Sequence, residues 1–328
     1  MGGRSSGLWL IYALGGGWGH LTRAAALARV ARGPVRILTN SPYAGEVRAR
    51  LPDLDIVALN PELPVARARE EAVEQIRESG AACLIVDTFP RGLGGELASL
   101  LPGLGAVRAL IHRDLNPVYV RGKAIEEFVR SNYDVVIRPG PAEAAPLAGL
   151  PQVRTTAPWL IRSARELPSR EAARRLMGVE ERQCVLVLAA GKIEEQTWYG
   201  GVARALSGAL EGVGVRCVAP SCPAGCPEAG WVRYWPAMDL LPGVDVVVGG
   251  GGYNTVYECL ACGVQLVARA WARKYDRQAL RAAGQAEACP TVDEVVAAVR
   301  TCLARTRART EFPNGVFEAV EILERVSG

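Results

Sequence analysis

The sequence predicts an α/β protein built from two doubly wound parallel-sheet domains, and three observations predict it. The chain has 328 residues, enough for two domains of about 100–200 residues each. Short apolar, β-branched runs alternate with longer amphipathic stretches along the chain. This alternation stops in a proline- and glycine-rich segment at residues 139–168 and then starts again.

The first half predicts six strands with helices between them. The strand segments are LWLIYAL, VRILT, DIVAL, ACLIVD, AVRALIH and DVVIR. Helical patterns such as HLTRAAALARVA and AREEAVEQIRES separate them. The run ACLIVD is apolar on both faces, as a parallel sheet covered by helices requires. We therefore expect an N-terminal α/β domain over residues 1–155.

The second half repeats this pattern after a predicted linker at residues 156–170. CVLVLAAG, VRCVAP, WVRYW, VDVVV and VQLVARAW are strand candidates, and VARALSGALEGVG and TVDEVVAAVRTCLARTR are helix candidates. These segments predict a C-terminal ligand-binding domain over residues 171–310. A final helix within residues 311–328 could pack on either domain. Two such domains would face each other across a cleft in which ligands bind.

Charge, cysteine content and the N-terminal apolar run indicate which partners and which compartment to expect. The formal charge of +4 and a pI of about 8.6 are too mild to indicate nucleic-acid binding. The nine cysteines are scattered, and the pairs Cys222/Cys226 and Cys259/Cys262 lack the four matched ligands of a zinc site. We expect neither a metal nor a CPAGC disulfide. The apolar run at residues 8–14 leads into a glycine loop like a buried strand, so a cytoplasmic protein is expected.

The first glycine-rich loop, GGGWGH, lies between a predicted strand and a predicted helix. Gly16, Gly17 and Gly19 would let backbone amides approach a phosphate at the helix start. The spacing is not GxGxxG, and the next strand, VRILTN, lacks the terminal acidic residue that holds the ribose of NAD. A dehydrogenase is therefore disfavoured.

His20 ends this loop and is the candidate general base. It could instead only stabilise the loop. A carboxylate at a strand end, Asp114 or Asp87, could orient His20, and Asp87 could also be the base itself.

The second glycine-rich loop follows the predicted strand VDVVV. Gly250, Gly251, Gly252 and Tyr253 lead into a helix for which Asn254 and Thr255 are candidate caps, and the amides around them would bind a diphosphate. Glu258 is expected in the first helical turn. Its carboxylate would accept hydrogen bonds from a ribose diol, or would only complement the helix dipole.

Five further residues are candidates for the same ligand. Asp276 and Gln278 stand at a predicted helix start, as caps or as partners of sugar hydroxyls. Trp235 would cover a nucleobase or would only pack between domains. In the loop AAGKIEEQTW, Gly191 allows a close backbone approach, and Lys192 would add a charge beside a phosphate.

These motifs resemble the GT-B glycosyltransferases, most closely the group of the N-acetylglucosaminyltransferase that makes lipid II. GGGWGHLTRA and GGGGYNTVYECLACGVQLVARAW…YDRQALRAAG carry the resemblance. It implies two Rossmann-like domains, with the acceptor on the side of residues 1–155 and the nucleotide-sugar donor bound by residues 171–310. In the donor site it implies Glu258 on the ribose, residues 250–255 on the diphosphate, and Asp276 with Gln278 on the donor sugar. The loop AAGKIEEQTW departs from that group, because it has few glycines and places Glu194 and Glu195 beside a diphosphate.

The resemblance implies a metal-independent, inverting glycosyltransferase that takes a hexosyl or N-acetylhexosaminyl group from a nucleotide sugar, with UDP as the expected nucleotide. No cofactor other than this donor is expected. The acceptor stays open between a lipid-linked and a small-molecule hydroxyl compound, and a peripheral membrane contact is a further expectation. Two alternatives remain. A nucleotide-sugar hydrolase of the pseudaminic-acid type shares the pattern of His20 and Arg23, and a non-catalytic nucleotide-sugar-binding protein would explain the altered AAGKIEE loop.

Overall fold

The structure is a computed structural model that describes residues 7–141, 146–284, 287–305 and 312–328. The chain divides into two compact units. Unit 1 contains the chain up to Ile161, the short segment Lys274–Asp276 and the C-terminal stretch from Pro313. Unit 2 contains Arg162–Arg273 and Arg277–Phe312. The change of unit after Ile161 falls inside the predicted linker of residues 156–170, and the last helix belongs to unit 1.

Both units are built on parallel sheets. Unit 1 contains β1 (Trp9–Tyr12), β2 (Val35–Thr39), β3 (Asp55–Ala58), β4 (Cys83–Asp87), β5 (Val107–Ile111), β6 (Val135–Pro139) and β7 (Val153–Thr156). Unit 2 contains β8 (Gln183–Leu188), β9 (Val213–Val218), β10 (Trp231–Val232), β11 (Val246–Gly250), β12 (Gln265–Arg269) and β13 (Glu287–Ala288). Every pair of neighbouring strands is parallel.

Twelve helices of the described chain connect these strands. They are α1 (Trp18–Ala28), α2 (Ala44–Arg50), α3 (Val65–Glu78), α4 (Leu97–Leu100), α5 (Pro117–Gly122), α6 (Ile125–Asn132), α7 (Arg170–Met177), α8 (Ile193–Ala209), α9 (Tyr253–Ala261), α10 (Gln278–Ala282), α11 (Val292–Leu303) and α12 (Val316–Ser327). Within the described residues, no helix combines the length and the apolar character needed to cross a membrane.

Strand order places the ligand-binding edge of each sheet. Unit 1 has the order β3-β2-β1-β4-β5-β6-β7, and unit 2 has β10-β9-β8-β11-β12-β13. The order therefore reverses between β1 and β4 in unit 1 and between β8 and β11 in unit 2. Doubly wound sheets bind ligands beyond the carboxyl ends of the strands at this switch point. The predicted fold class of two doubly wound α/β domains is confirmed, and the predicted glycine loops follow β1 and β11.

Two strands were not predicted, the two-residue β13 and β7, and the composition of β7 hides it. β7 lies in the segment of residues 139–168, which was expected to be irregular, and it pairs with β6 at the edge of the sheet. Arg154 and Thr155 are exposed and only Thr156 is buried, so no apolar run marks this strand. Edge strands need fewer apolar residues because solvent covers one side of them.

Some helices of the described chain begin with a side-chain cap and others do not. Ser169 caps α7 by accepting a hydrogen bond from the amide of Ala172, and Thr291 forms a capping box with Glu294 at α11. Like most helices of the described chain, α1 and α9 begin without a side-chain cap, after Gly17 and Gly252. The first amides of these two helices are therefore not satisfied by a capping side chain.

Candidate active site

His20 and Asp87 form a hydrogen-bonded pair at the switch point of unit 1. His20 lies in the first turn of α1, directly after the loop that follows β1, and Asp87 is the last residue of β4. Nδ1 of His20 lies 2.6 Å from Oδ2 of Asp87. Since β1 and β4 are neighbours with aligned carboxyl ends, the sheet itself brings the two side chains together.

Arg23 holds the same carboxylate with two hydrogen bonds. Its Nε donates to Oδ1 of Asp87 at 3.1 Å, and its Nη2 donates to Oδ2 at 2.7 Å. Arg23 lies three residues after His20, close to one helical turn, so α1 directs both side chains to Asp87. Burial alone would raise the pKa of Asp87, but the charges and hydrogen bonds of Arg23 and His20 hold it well below its usual range. Such a carboxylate is a poor proton acceptor, which argues against Asp87 as the base.

His20 is held in the state that a general base needs. Burial lowers the pKa of its imidazole, Asp87 raises it in part, and the charges of Arg23 and Arg113 lower it further. The neutral imidazole is therefore favoured near pH 7. Because ionised Asp87 can only accept, Nδ1 carries the proton, and Nε2 is left as the basic nitrogen.

Backbone geometry fixes the positions of both residues. A Cβ atom on Gly15 would come within 2.5 Å of Nε2 of His20, so the ring packs directly on this glycine. Thr88 has a φ of 72°, which is strained for a β-branched residue. Its hydroxyl donates to Oδ1 of Asp87 at 3.3 Å and accepts from Nη2 of Arg23 at 3.4 Å.

The first loop is less open to phosphate than the sequence predicts. The amides of Gly15 and Gly16 both donate to Oδ1 of Asn40, at 2.9 and 3.0 Å. The predicted role of the Gly16 amide is therefore wrong for this state, because its hydrogen bond is already made inside the loop. Gly17 and Gly19 keep open positions at the uncapped start of α1, where a Cβ on Gly17 would meet no atom within 4 Å.

Asp114 does not share the position of Asp87. It follows β5 by three residues and is partly buried, whereas the carboxylate beside Nδ1 of His20 is that of Asp87. Of the two carboxylates considered as the partner of His20, the structure thus selects Asp87. The physical reason is that β4, and not β5, is the direct neighbour of β1.

A chain of aromatic contacts begins at His20. Phe89 stacks on His20 with ring centroids 5.5 Å apart, and Tyr275 meets Phe89 edge-on at 5.5 Å. Tyr119 packs on Tyr275 at 4.8 Å. Sequence reasoning missed this cluster, because Tyr275 is about 190 residues from Phe89 and no periodic signal links them.

Asp276 lies in unit 1, where both its carboxylate and its backbone have partners. Its carboxylate is 3.5 Å from Nη1 of Arg113, and its backbone forms an isolated bridge with Leu115. The amide of Asn116 also donates to the carbonyl of Tyr275 at 3.1 Å. Asp276 is assigned to unit 1 and Gln278 to unit 2, and their role as partners of a donor sugar stays a prediction. Neither residue is the cap of α10, which is Arg277.

The second glycine loop is confirmed as a tight turn between β11 and α9, but its predicted caps are wrong. α9 begins at Tyr253 with Gly252 as its cap, so Asn254 and Thr255 are helical residues. A Cβ on Gly251 would lie 2.6 Å from the carbonyl oxygen of Gln278, whereas one on Gly252 would meet nothing within 4 Å. Oδ1 of Asn254 is buried, and none of the described residues donates a hydrogen bond to it.

Glu258 is the most perturbed carboxylate of unit 2. It is the sixth residue of α9, not in the first turn, so the helix-dipole explanation is wrong. The residue is 7% exposed, and no described side chain donates to its carboxylate. Burial, and then the charge of Asp239, raise the pKa of Glu258 to about 8. A buried carboxyl group without donors is ready to accept them from a ligand.

Gln278 and Trp271 form the wall beside this loop. Oε1 of Gln278 accepts the amide of Trp271 at 3.1 Å, and the indole of Trp271 donates to the hydroxyl of Tyr199 at 3.0 Å. That hydroxyl lies 3.5 Å from the position of a Cβ on Gly250. Trp235, in contrast, is only 7% exposed, so most of its ring is covered by protein.

In the loop AAGKIEEQTW, which follows β8, the buried negative charge of Glu195 is paired with a positive charge. Lys192 caps α8 and is exposed, as are Gly191 and Glu194. Glu195 is buried and forms a bidentate ion pair with Arg273. The expected repulsion between Glu195 and a diphosphate is therefore wrong, because Arg273 neutralises that carboxylate. Gly191, with a φ of 118°, makes room for this ion pair.

Metal-ligating side chains do not converge anywhere in the described part of the chain. No group of three or more histidine, cysteine, aspartate or glutamate side chains there is arranged to hold a metal ion.

Comparisons with known proteins identify the fold. No protein-family model and no curated protein matches the sequence. Among solved structures, the chain is similar to the glycosyltransferase SsfS6 of Streptomyces sp. SF2575 in complex with thymidine diphosphate, with a TM-score of 0.65 and 17% identity over 97% of this chain and 99% of that one. It is also similar to the glycotransferase of kitacinnamycin, with a TM-score of 0.63 and 14% identity over 98% and 99% of the two chains.

The spinosyn forosaminyltransferase SpnP is a third structural neighbour. Its TM-score is 0.61 at 15% identity, over 98% of this chain and 95% of that chain. At such low identity these likenesses establish the shared fold and nothing finer. Because they extend over nearly the full length of both chains, this protein has the GT-B fold.

Proposed function

We propose that this protein is a glycosyltransferase that moves a sugar from a nucleoside diphosphate donor to a hydroxyl group of an acceptor. The observation that carries this proposal is the His20–Asp87 pair at the ligand-binding edge of a GT-B fold. His20 accepts the proton of the acceptor hydroxyl at Nε2 as the oxygen attacks the anomeric carbon. Asp87 keeps the tautomer and stabilises the imidazolium that forms, and Arg23 keeps Asp87 ionised.

The donor is assigned to the edge of unit 2. The uncapped amides of α9 and the open Gly252 suit a diphosphate, whose charge they stabilise as it leaves. Glu258, buried and without donors, suits the ribose hydroxyls. Direct displacement of this kind inverts the anomeric centre. We further propose that no metal takes part, which leaves turnover unchanged by a chelator.

Two proposals about the donor compete. The resemblance of the glycine motifs to the lipid II group favours uridine diphosphate and an N-acetylhexosaminyl group. Two structural neighbours, SsfS6 and the spinosyn rhamnosyltransferase SpnG, hold thymidine diphosphate. A contact between Glu258 and a 2′-hydroxyl would favour uridine diphosphate over thymidine diphosphate, because thymidine lacks that hydroxyl. The acceptor is open in the same way, because the lipid II group and the neighbours named for kitacinnamycin and spinosyn suggest different acceptors. We also propose that the protein is cytoplasmic.

A hydrolase is the second candidate, and Arg23 is the observation that favours it. Gly17, Gly19, His20 and Arg23 match the loop of nucleotide-sugar hydrolases, and the structure shows Arg23 and His20 on the same carboxylate. In a hydrolase, Nε2 of His20 would take a proton from water in place of an acceptor hydroxyl.

Nucleotide binding is the first test. Thermal melting is measured with UDP, TDP, GDP and NAD, since a ligand that binds only the folded state raises Tm by mass action. We expect a shift with UDP or TDP and none with NAD, and Glu258→Ala should remove it. If no nucleoside diphosphate shifts Tm, the donor assignment is wrong. Release of nucleoside diphosphate from nucleotide sugars, with and without acceptor mixtures, then separates the two activities. Acceptor-dependent release supports a transferase, and acceptor-independent release at full rate supports a hydrolase.

A further inference from the structure

Arg91 is a partly buried arginine of unit 1 whose charge is not neutralised within the described chain. It follows Asp87, the last residue of β4, by four positions and precedes α4. None of the described residues forms an ion pair with its guanidinium or accepts a hydrogen bond from it. Charged groups that are partly buried are normally paired, so this guanidinium is a candidate to bind an anion from outside the chain.

A closed turn fixes the backbone of Arg91. The amide of Gly92 donates to the carbonyl of Phe89 at 2.8 Å, which places Pro90 and Arg91 in the middle of the turn. The hydroxyl of Tyr133 donates to the carbonyl of Pro90 at 2.6 Å, and this bond is buried. The turn is therefore anchored to the rest of unit 1, and the side chain of Arg91 starts from a defined position.

The same turn brings Arg91 close to the proposed base. Phe89 stacks on His20 with ring centroids 5.5 Å apart, and Arg91 follows Phe89 by two residues. Two residues of a chain span at most about 7 Å, so the backbone of Arg91 lies next to the residue that covers His20. A small molecule bound at Arg91 is therefore within reach of His20.

The guanidinium of Arg91 is held on an aromatic ring. Its Cζ lies 4.7 Å from the ring centroid of Phe128, in α6. Nε is buried, whereas the residue as a whole is partly exposed. The inner part of the group is thus covered by protein, and Nη1 and Nη2 form the edge that is left for a ligand. Stacking of this kind orders the guanidinium and leaves its in-plane N–H groups free to donate.

Two other arginines of unit 1 already have carboxylate partners at the carboxyl ends of the strands. Arg23 donates to both oxygens of Asp87, and Nη1 of Arg113 lies 3.5 Å from the carboxylate of Asp276. Their charges are balanced inside the protein. Arg91 differs from both of them, because the carboxylate that would complete its fork is not among the described residues.

We propose that Arg91 binds a carboxylate group of the acceptor, so that the acceptor is a hydroxy acid. This inference rests on the proposed function, because it assigns the carboxylate to the molecule whose hydroxyl His20 deprotonates. Nη1 and Nη2 donate to the two carboxylate oxygens, in the bidentate geometry that suits a guanidinium. The single charge of Arg91 matches one carboxylate, whereas a phosphate monoester carries about −1.5 to −2 charges and calls for a second cation.

The test is thermal melting of the full-length protein with benzoate and with benzamide, at a fixed ionic strength. The two compounds have the same ring and nearly the same size, but only benzoate carries a carboxylate. We expect benzoate to raise Tm and benzamide to leave it unchanged. No shift with benzoate, or equal shifts with both compounds, would overturn the proposal. A shift with phenyl phosphate alone would identify a phosphate site and would overturn it as well.

Variants assign the shift to one side chain. Arg91→Gln should remove the benzoate shift, and Arg91→Lys, which keeps the charge but not the fork, should keep part of it. Arg138→Gln is the matched control, because Nε of Arg138 is also buried without an acceptor but β6, which carries it, is separated from β4 by β5. It should keep the full shift. A benzoate shift that survives in Arg91→Gln, or that is lost in Arg138→Gln alone, would contradict the assignment.

Nucleotide binding separates this proposal from the proposed function. Arg91→Gln should keep the Tm shift by UDP or TDP, which also shows that the variant is folded. If no nucleoside diphosphate shifts Tm of the unaltered protein, the proposed function fails, whatever benzoate does. If nucleotides shift Tm and benzoate does not, only the carboxylate assignment fails.

Discussion

Nδ1 of His20 lies 2.6 Å from Oδ2 of Asp87, a carboxylate that solvent does not reach. Arg23 binds the same carboxylate through two nitrogens, so one buried anion faces two nitrogen-bearing side chains. This arrangement keeps Asp87 ionised and gives His20 a single tautomer. This arrangement supports the proposed role of His20 as general base, and the first three predictions follow from it.

His20→Gln should remove turnover while the fold is kept. The Gln amide can still donate to Asp87, but it has no basic nitrogen, so the rate should fall by about 10²–10⁴-fold with little change in the KM of the donor. Release of nucleoside diphosphate gives both constants. Asp87→Asn provides a contrast, since it should lower the rate and the stability together. Full turnover by His20→Gln would remove His20 from catalysis.

Activity should depend on the neutral form of His20. Because the pKa of His20 is lowered from its ordinary value of about 6.5, the neutral base predominates at pH 7 and is lost only at more acidic pH. The logarithm of kcat/KM should therefore fall with a slope of one on the acid side, with its midpoint below about 6.5. The measurement is kcat/KM as a function of pH, over the range in which the protein stays folded. A midpoint above 7 would contradict the prediction.

Arg23→Met should destabilise the fold strongly at neutral pH. It leaves the buried charge of Asp87 without its partner, which costs about 3–5 kcal/mol. In the unaltered protein the depressed pKa of Asp87 gives stability that is present above about pH 3.9 and is lost as pH falls below it. The variant should show the reverse trend and recover relative stability on acidification. Urea unfolding at two pH values measures this, and Arg23→Lys, which keeps the charge, should lose less.

Glu258→Gln should stabilise the protein at alkaline pH. The folded pKa of about 8 lies above the unfolded value, so the protonated carboxyl contributes stability that is lost as pH rises through 8. The variant cannot ionise, and its advantage in Tm should therefore grow between about pH 5 and 8. A difference in Tm that does not change with pH would show that Glu258 is ionised in the folded protein.

Two neighbouring glycines separate folding from nucleotide binding. Gly251→Ala places a methyl group against the carbonyl of Gln278, and we expect a loss of about 1–3 kcal/mol in the free energy of unfolding. Gly252→Ala meets no atom within 4 Å, so its stability should change by less than about 0.5 kcal/mol. If the diphosphate approaches these amides, Gly252→Ala should still reduce the thermal shift by UDP or TDP. An unchanged shift would place the phosphate elsewhere.

The local pattern of apolar residues and glycines was sufficient to predict the two-domain α/β architecture. Runs such as ACLIVD are apolar at every position because the sheet is covered on both faces, and this property is visible in the chain itself. The glycine loops after β1 and β11 are also visible in the chain itself, although close packing excludes a side chain only at positions such as Gly15 and Gly251. The pattern failed at β7, where an edge position removes the need for apolar residues.

By itself, the sequence determined the fold class, the two glycine loops and the candidacy of His20, because each follows from residues that are close in the chain. Only the tertiary structure decided the partners. Strand order selected Asp87 over Asp114, and packing joined Asn40 to the Gly16 amide, Arg273 to Glu195 and Arg113 to Asp276. Hydrogen bonds and ion pairs act over a few ångströms in space, and the order of residues along a chain does not record which distant ones will meet.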